Sequence, residues 1–279
     1  MLPSDSAVVR LSGVEKRFAV AGASTAALSG IDLAIQPGEF VSLIGPSGCG
    51  KSTLLRIIGD LIEPTAGSVE VNGKPAARAR HDRDYGMVFQ APVLFDWRTI
   101  EGNVELPLEV MGVARDERRR RTGEMLSLVE LSDFGGHHPW QLSGGMQQRA
   151  AIARALAFEP KLLLMDEPFG ALDEMTRERM NDELLRIWGR TGTTIVFVTH
   201  SIPEAVFLSS RVVVMTPRPG RITTVIDVDL PRPRNEATRE SEGYFEAVTA
   251  VREALRAAHG GTIPEAEPLV IDGTPEPAG

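Results

Sequence analysis

The chain has 279 residues, 42% of them hydrophobic, and a formal net charge of -8 at pH 7. This length can hold one large α/β unit with an inserted helical subdomain. The acidic balance gives no support to a nucleic-acid-binding surface, and a single cysteine, Cys49, excludes internal disulfides and cysteine-based zinc sites. No apolar run approaches the ~20 residues of a membrane span, and the N-terminus lacks the apolar core of a signal peptide. We therefore expect a soluble, cytosolic protein.

The segment GPSGCGKST at 45–53 fits the phosphate-loop pattern, in which two glycines separated by four residues precede Lys51 and Ser52. The apolar run at 40–44 predicts a buried strand before it, and 53–58 predicts a helix after it. Such a loop turns its N–H groups and the helix N-terminus toward an anion. Lys51 is then expected to pair with the β- and γ-phosphates of a nucleoside triphosphate, and Ser52 to ligate magnesium. The residues expected to line the nucleotide are Gly45, Pro46, Ser47, Gly48, Cys49, Gly50, Lys51, Ser52 and Thr53.

Two further patterns follow in chain order. GSVEVNG at 67–73 predicts a hairpin that closes a strand-rich start over 7–85. Residues 86–158 are predicted to be mostly helical, with one helix starting at Asp116. Its run at 117–121, one Glu and four Arg, could attract anionic lipid, but the exposed face of a helix is the favoured interpretation.

A second phosphate-handling signature is LSGGMQQR at 142–149. Ser143 is a typical N-cap residue, and the helix is predicted to begin near Met146. The unpaired N–H groups of a capped first turn form an anion site. One nucleotide site needs only the phosphate loop, so this second signature calls for a separate explanation.

Two apolar strands end in polar residues. The strand at 161–167 ends in Asp166 and Glu167, and the strand at 194–198 is followed by Thr199 and His200. Buried parallel strands present their C-terminal ends to the ligand crevice. Asp166 is expected to hold magnesium through water, and Glu167 to polarise the attacking water. The alternatives are a solvated turn or helix cap for the carboxylates and a structural role for His200.

The C-terminal part begins with a turn at 216–222 (TPRPGRI) between two strands. A helix is predicted over 236–258, with Tyr244, Phe245, Val248, Val251 and Leu255 as its apolar stripe. The last stretch, 262–279, carries four acidic residues, no basic ones and four prolines. It is expected to be disordered and to have no role in hydrolysis.

The order of these motifs resembles the ATP-binding cassette family over residues 7 to about 225. The ordered set is the phosphate loop, Gln90 in VFQ, LSGGMQQR, LLLMDEP, Asp173 and His200. The resemblance implies an α/β fold: a P-loop NTPase core with an N-terminal antiparallel β subdomain and an inserted helical signature subdomain. The implied organisation is an ATPase domain over 7–234 (86–158 including the helical subdomain), a helical extension over 235–261 and an acidic tail over 262–279.

The resemblance also implies a role for each motif. Phe18 matches the aromatic residue that stacks on adenine, and Gln90 matches the glutamine that reaches magnesium and the attacking water. Glu167 matches the general base, and His200 matches the residue that contacts the γ-phosphate. With Lys51 these form the expected catalytic set, and Ser52, Gln90 and Asp166 form the expected metal set.

The second signature implies a shared site. Ser143, Gly144 and Gly145 match the signature that caps the γ-phosphate of ATP bound to the other subunit. Asp173 matches the loop that links the two sites. The implied assembly is a head-to-tail dimer of two copies with ATP and Mg²⁺ between them.

The C-terminal pattern resembles the importer ATPases for nitrate, sulfonates and taurine; riboflavin- or pyrimidine-type importers look similar, so the solute stays open. Integral membrane permeases and a periplasmic or lipid-anchored solute-binding protein are the implied partners, at the cytoplasmic face of the membrane. The segment 91–97 is expected to expose Phe95 and Trp97 to a permease helix. The alternative is that both rings pack against the helical subdomain.

Two other functional classes share parts of this motif set. A soluble cassette ATPase of DNA repair or translation would carry long coiled coils or two cassettes, which this sequence lacks. A binding module without turnover conflicts with the intact Glu167 and His200. Cys49 is expected either to be a reactive thiol, with its pKa lowered by Lys51 and the loop N–H groups, or to be an inert small side chain.

Overall fold

The computed structural model describes residues 7–20 and 23–259 of the chain. The strands, in chain order, are β1 (Val9–Val20), β2 (Ala23–Ile35), β3 (Phe40–Ile44), β4 (Ala66–Val71), β5 (Lys74–Pro75), β6 (Tyr85–Val88), β7 (Leu162–Asp166), β8 (Thr194–Val198), β9 (Arg211–Met215) and β10 (Ile222–Asp227). The helices are α1 (Lys51–Ile58), α2 (Ala76–His81), α3 (Ile100–Val110), α4 (Arg115–Leu128), α5 (Gly144–Leu156), α6 (Glu174–Thr191), α7 (Ile202–Leu208), α8 (Glu236–Arg239) and α9 (Glu242–Ala258). Short 3-10 turns lie at Ser132–Phe134 and Pro139–Gln141.

These strands form two sheets. One is antiparallel with the order β2-β1-β4-β5, and the other has the order β10-β9-β3-β8-β7-β6. In the second sheet the neighbours from β9 to β6 are parallel, and β10 is antiparallel to β9. Every residue of β3, β7 and β8 is buried, which is why these strands are continuous apolar runs in the sequence. The predicted α/β core with an N-terminal antiparallel sheet is confirmed.

The helical part between β6 and β7 contains α3, α4 and α5. The helix predicted from Asp116 is α4, which begins one residue earlier. Glu117 pairs with Arg120 and Arg121 along this helix, and these hydrogen bonds lower the pKa of Glu117 to about 2. Arg120 and Arg121 are therefore bonded within their own helix, as the exposed-face interpretation requires, whereas Arg118 pairs with Glu105 of α3 at 2.6 Å.

The turn predicted at 216–222 joins β9 to β10 as expected, and Asn72 and Gly73 close the small β4–β5 hairpin. The single helix predicted over 236–258 is wrong, because the chain forms α8 and then α9. Ser241 begins α9, and its side chain accepts a hydrogen bond from Tyr244 N.

Four residues of the predicted stripe are buried in the main core, namely Tyr244, Val248, Val251 and Leu255. Phe245 is the exception and is 58% exposed. Helix α9 packs in the same core as the large sheet. The assignment of 235–261 as a separate helical extension stays a prediction. The tail at 262–279 lies outside the described residues.

Candidate active site

The large sheet brings the three chemical motifs of the core to one edge. The phosphate loop follows β3, the acidic pair ends and follows β7, and His200 follows β8. Because β3, β8 and β7 are adjacent and parallel, their C-terminal ends lie side by side. Sheet topology, rather than sequence proximity, assembles this site.

The loop before α1 is held in a conformation that demands glycine. Gly50 has φ of 107°, and a Cβ added there would lie 2.7 Å from Leu28 Cδ2. The buried Lys51 donates from Nζ to the carbonyl oxygens of Gly45 at 2.8 Å and Pro46 at 3.1 Å. Helix α1 has no side-chain cap, so its first N–H groups are available to an anion. The loop therefore has the geometry of a phosphate cradle.

A hydroxyl and a carboxylate meet beside this loop. Ser52 Oγ donates to Asp166 Oδ1 at 2.7 Å, and Arg56 lies 3.9 Å from the other oxygen of Asp166. Hydroxyl and carboxylate oxygens are hard ligands of the kind that Mg²⁺ prefers, with water and phosphate completing its shell. The donor set therefore fits the predicted metal.

Glu167 and His200 face each other across the ends of β7 and β8. His200 Nδ1 lies 3.4 Å from Glu167 Oε2. Glu167 has φ of 46°, an uncommon conformation for a non-glycine residue, and its N–H donates to Val198 O at 3.0 Å. Gln90 reaches the same region, since its Nε2 would be 3.2 Å from a Cβ added to Gly170. The structure thus places Glu167 beside His200, and Gln90 beside Gly170, three residues after Glu167.

Cys49 does not have the environment of a reactive thiol. Lys51 Nζ is 4.0 Å from its sulfur and lowers its pKa, as the reactive alternative required. Burial is the larger effect, however, because Cys49 is only 1% exposed, and the net result is a raised pKa. The reactive alternative is therefore wrong, and the inert side chain is the correct interpretation.

Maleimide labelling tests this correction. We expect Cys49 to react slowly in the native protein both with and without Mg-ATP, because the thiolate is scarce and the sulfur is covered. Labelling should become fast only in denaturant. Rapid labelling of the native, nucleotide-free chain that Mg-ATP then suppresses would contradict the buried-thiol interpretation.

The other predicted residues make local contacts. Phe18 is an exposed residue of β1, with Lys16 Nζ 5.2 Å above its ring. Ser143 caps α5 through Met146 N at 3.4 Å, as predicted. Asp173 caps α6 through Thr176 N at 3.0 Å, and this contact lowers its pKa. Among the described residues, no hydrogen bond or ion pair joins the signature at 143–145 to the phosphate loop of the same chain.

Other residues of the site were not expected from the sequence. Gln148 of α5 donates to Phe89 O at 3.0 Å, and Arg154 of α5 donates to the carbonyls of Pro92 and Val93. These bonds tie the signature helix to the segment around Gln90. The glutamine lies within LSGGMQQR, but nothing in that pattern indicates its partner.

A buried carboxyl supports the loop that carries His200. Thr199 Oγ1 donates to Glu204 Oε2 at 2.5 Å and accepts from Ser201 N at 2.9 Å. Burial raises the pKa of Glu204, against the opposing effects of Thr199 and Arg177. The only feature of the sequence that pointed to Glu204 was its position as an acidic residue in the first turn of a short apolar helix.

Comparison with known proteins gives the same family. The family model described as ABC transporter matches residues 28–170. A putative ATP-binding protein of Brucella abortus is 51% identical over 218 residues, which cover 78% of this chain and 83% of the relative. The taurine import ATP-binding protein TauB of Pseudomonas fluorescens is 45% identical, covering 75% and 78%. The nitrate import ATP-binding protein NrtD of Synechocystis is 45% identical, covering 85% and 87%.

Solved structures of cassettes share this fold. The dimeric structure of MJ0796, a bacterial ABC transporter cassette, superposes with a TM-score of 0.70 at 39% identity and covers 79% of this chain and 98% of that one. A dimeric post-hydrolysis state of the same cassette, bound to ADP and Pi, gives a TM-score of 0.69 at 38% identity with the same coverage. With the phosphate loop, acidic pair and histidine at one sheet edge, the chain belongs to the ABC transporter family and is one of its ATPase subunits.

Proposed function

We propose that the chain hydrolyses ATP to energise a bacterial-type importer that takes up a small solute such as nitrate, a sulfonate or taurine through separate permease subunits. The observation that carries this proposal is the pairing of Glu167 with His200 beside the phosphate loop. A module that only bound nucleotide would not need that pair. The relatives named for taurine and nitrate import support the transport role and the solute class.

The chemistry follows from the cluster at the sheet edge. Lys51 and the loop N–H groups bind the β- and γ-phosphates, and Phe18 stacks on adenine. Glu167 orients water in line with the γ-phosphate, and His200 stabilises the charge on the transferring group. Magnesium, held by Ser52, Asp166 and Gln90, would neutralise phosphate charge.

The signature completes the site of a second copy. Ser143, Gly144 and Gly145 form the open N-terminus of α5, and they have no bonded partner in their own phosphate loop. We assign them to the γ-phosphate of ATP on the other subunit, with Asp173 linking the two sites. The dimeric cassette structures support an assembly of two copies.

A surface beside Gln90 is proposed to dock the permease. Trp97 is 73% exposed, and its ring lies 4.7 Å from that of Phe95. His138 approaches Asp96 O at 3.1 Å and stacks on the exposed Trp140 at 4.4 Å. Trp97 therefore does not pack inside the helical subdomain, and an apolar patch faces outward. None of the helices in the described ranges is long and apolar enough to cross a membrane. In the proposed importer, this surface would hold the chain against the permeases at the cytoplasmic face.

Replacing the exposed indole tests this surface. We expect Trp97→Glu to weaken association with the permease by ~30-fold or more, since a buried aromatic anchor contributes about 2 kcal/mol or more. ATP affinity of the isolated subunit should stay unchanged. Phe245→Glu is the matched control, because Phe245 is also an exposed aromatic residue but lies on α9. Equal loss of association in both variants would contradict docking at Trp97.

Uptake assays test the whole proposal. A strain lacking this chain should lose uptake of one labelled solute among nitrate, taurine, alkanesulfonates and pyrimidines. The wild-type chain should restore uptake and Lys51→Ala should not. The solute-binding protein of the same system, if present, should bind that solute. Unchanged uptake of all four classes would favour a cytosolic ATPase of DNA repair or translation, although no helix within residues 89–156 exceeds the 14 residues of α4.

A further inference from the structure

Three polar atoms behind the His200 loop are buried and lack a hydrogen-bond partner among the described residues. They are Glu204 Oε1, Asn181 Oδ1 and Arg177 Nε. Glu204 is 6% exposed and Asn181 is 5% exposed. A buried polar atom without a partner costs about 1–3 kcal/mol, so three such atoms in one region need a common explanation.

The three residues line the same cavity. It lies between α6, α7 and α9, and Tyr244 and Pro203 form part of its wall, with Tyr244 Oη bonded to Pro203 O at 3.2 Å. The cavity volume is about 30 Å³. A water molecule needs about 10–15 Å³ of such space and two to four polar partners. The cavity therefore has room for one water, and the three residues that carry the unpartnered atoms line it.

We propose that a single buried water binds here and bridges Glu204, Asn181 and Arg177. It donates its two hydrogens to Glu204 Oε1 and Asn181 Oδ1 and accepts one from Arg177 Nε. One donor and two acceptors match the bonding capacity of water. A monovalent cation fits poorly, because the positively charged guanidinium of Arg177 lines the cavity.

The bridge joins two loops of the active site. Glu204 holds Thr199 through its other oxygen, and Thr199 in turn holds Ser201 N, so the peptide carrying His200 is fixed from this side. Arg177 Nη2 donates to Leu172 O at 3.0 Å, one residue before Asp173. Glu204, Asn181 and Arg177 are thus positioning residues that connect the His200 loop to the loop expected to face the partner subunit.

Crystallography tests the site directly. We expect a high-resolution structure of the full chain to show one ordered water bonded to all three atoms, whether or not nucleotide is bound. Crystals grown with thallium should show no anomalous peak there. An empty cavity, a thallium peak, or direct pairing of Arg177 with Glu204 would each overturn the proposal.

Kinetics test the connection, and this part rests on the proposed function of His200. Asn181→Leu removes one acceptor and fills the space, so we expect kcat to fall about tenfold with KM for ATP unchanged. Asn181→Ser keeps a polar group and room for water, and it should restore kcat to within about twofold. Thr122→Val is the control, because Thr122 also has a buried, unpartnered hydroxyl but lies on α4, away from this cavity.

The outcomes separate the two proposals. Wild-type kcat in Asn181→Leu, or equal loss of kcat in Thr122→Val, would show that the cavity does not position the His200 loop. If His200→Ala keeps full turnover, the proposed role of His200 fails. The electron density in the cavity would then still test the proposed water independently.

Discussion

Glu167→Gln is expected to lower ATP turnover by roughly 10²-fold or more while ATP affinity stays at the wild-type value. The amide cannot accept a proton from the attacking water. The phosphate cradle is made by Lys51 and the loop backbone, which this change does not touch. Phosphate release and nucleotide binding measured on the same preparation separate the two effects.

The same variant should accumulate as an ATP-bound dimer, because hydrolysis is the step that ends the closed state. Size-exclusion chromatography with and without ATP measures this. Glu246→Gln is a suitable control, since Glu246 is an exposed carboxylate on α9. A monomer in ATP together with near-normal phosphate release would show that Glu167 is not the base.

Ser143→Arg is expected to lower hydrolysis by roughly 10²-fold while the isolated subunit still binds ATP. The bulky cation would occupy the helix N-terminus that should meet the γ-phosphate of the second copy. Titration of labelled nucleotide into dilute protein reports binding by the monomer, and phosphate release at high protein concentration reports the shared site.

Ser143→Ala separates loss of the cap from obstruction of the site. It removes the bond to Met146 N without adding bulk, and this costs α5 about 1 kcal/mol. Its turnover should stay much closer to the wild-type value. If Ser143→Arg also abolishes nucleotide binding by the monomer, the signature acts within its own chain and the head-to-tail model is wrong.

Much of the fold could be predicted because its signals are local. Fully buried parallel strands such as Phe40–Ile44 and Leu162–Asp166 are short apolar runs in the sequence. The break between α8 and α9 could not be predicted from the apolar stripe, because all five stripe residues lie within α9 and none lies in α8. Phe245 fits the stripe by spacing, yet it points outward, since only packing partners decide which side of a helix is covered.

The candidate site also contains residues that the sequence predicts and residues that only the structure reveals. The phosphate loop, Asp166, Glu167 and His200 follow their strands directly, so sheet order alone brings them together. Contacts between distant segments leave no sequence pattern, and Arg154 and Glu204 were therefore found only in the structure. For Cys49 the sequence showed the neighbouring charge of Lys51 but not the burial that outweighs it.

The positions of the three tryptophans supply an optical readout of assembly. Trp97 and Trp140 are exposed on the proposed docking surface, whereas Trp188 packs edge-on against Phe40 with Arg232 over its ring. Two of the three indoles in the chain should therefore emit as solvated fluorophores and be quenched by iodide. Covering this surface should shift their emission to shorter wavelength and protect them from quenching, while Trp188 stays constant as an internal reference. Binding of a permease could then be followed without any label.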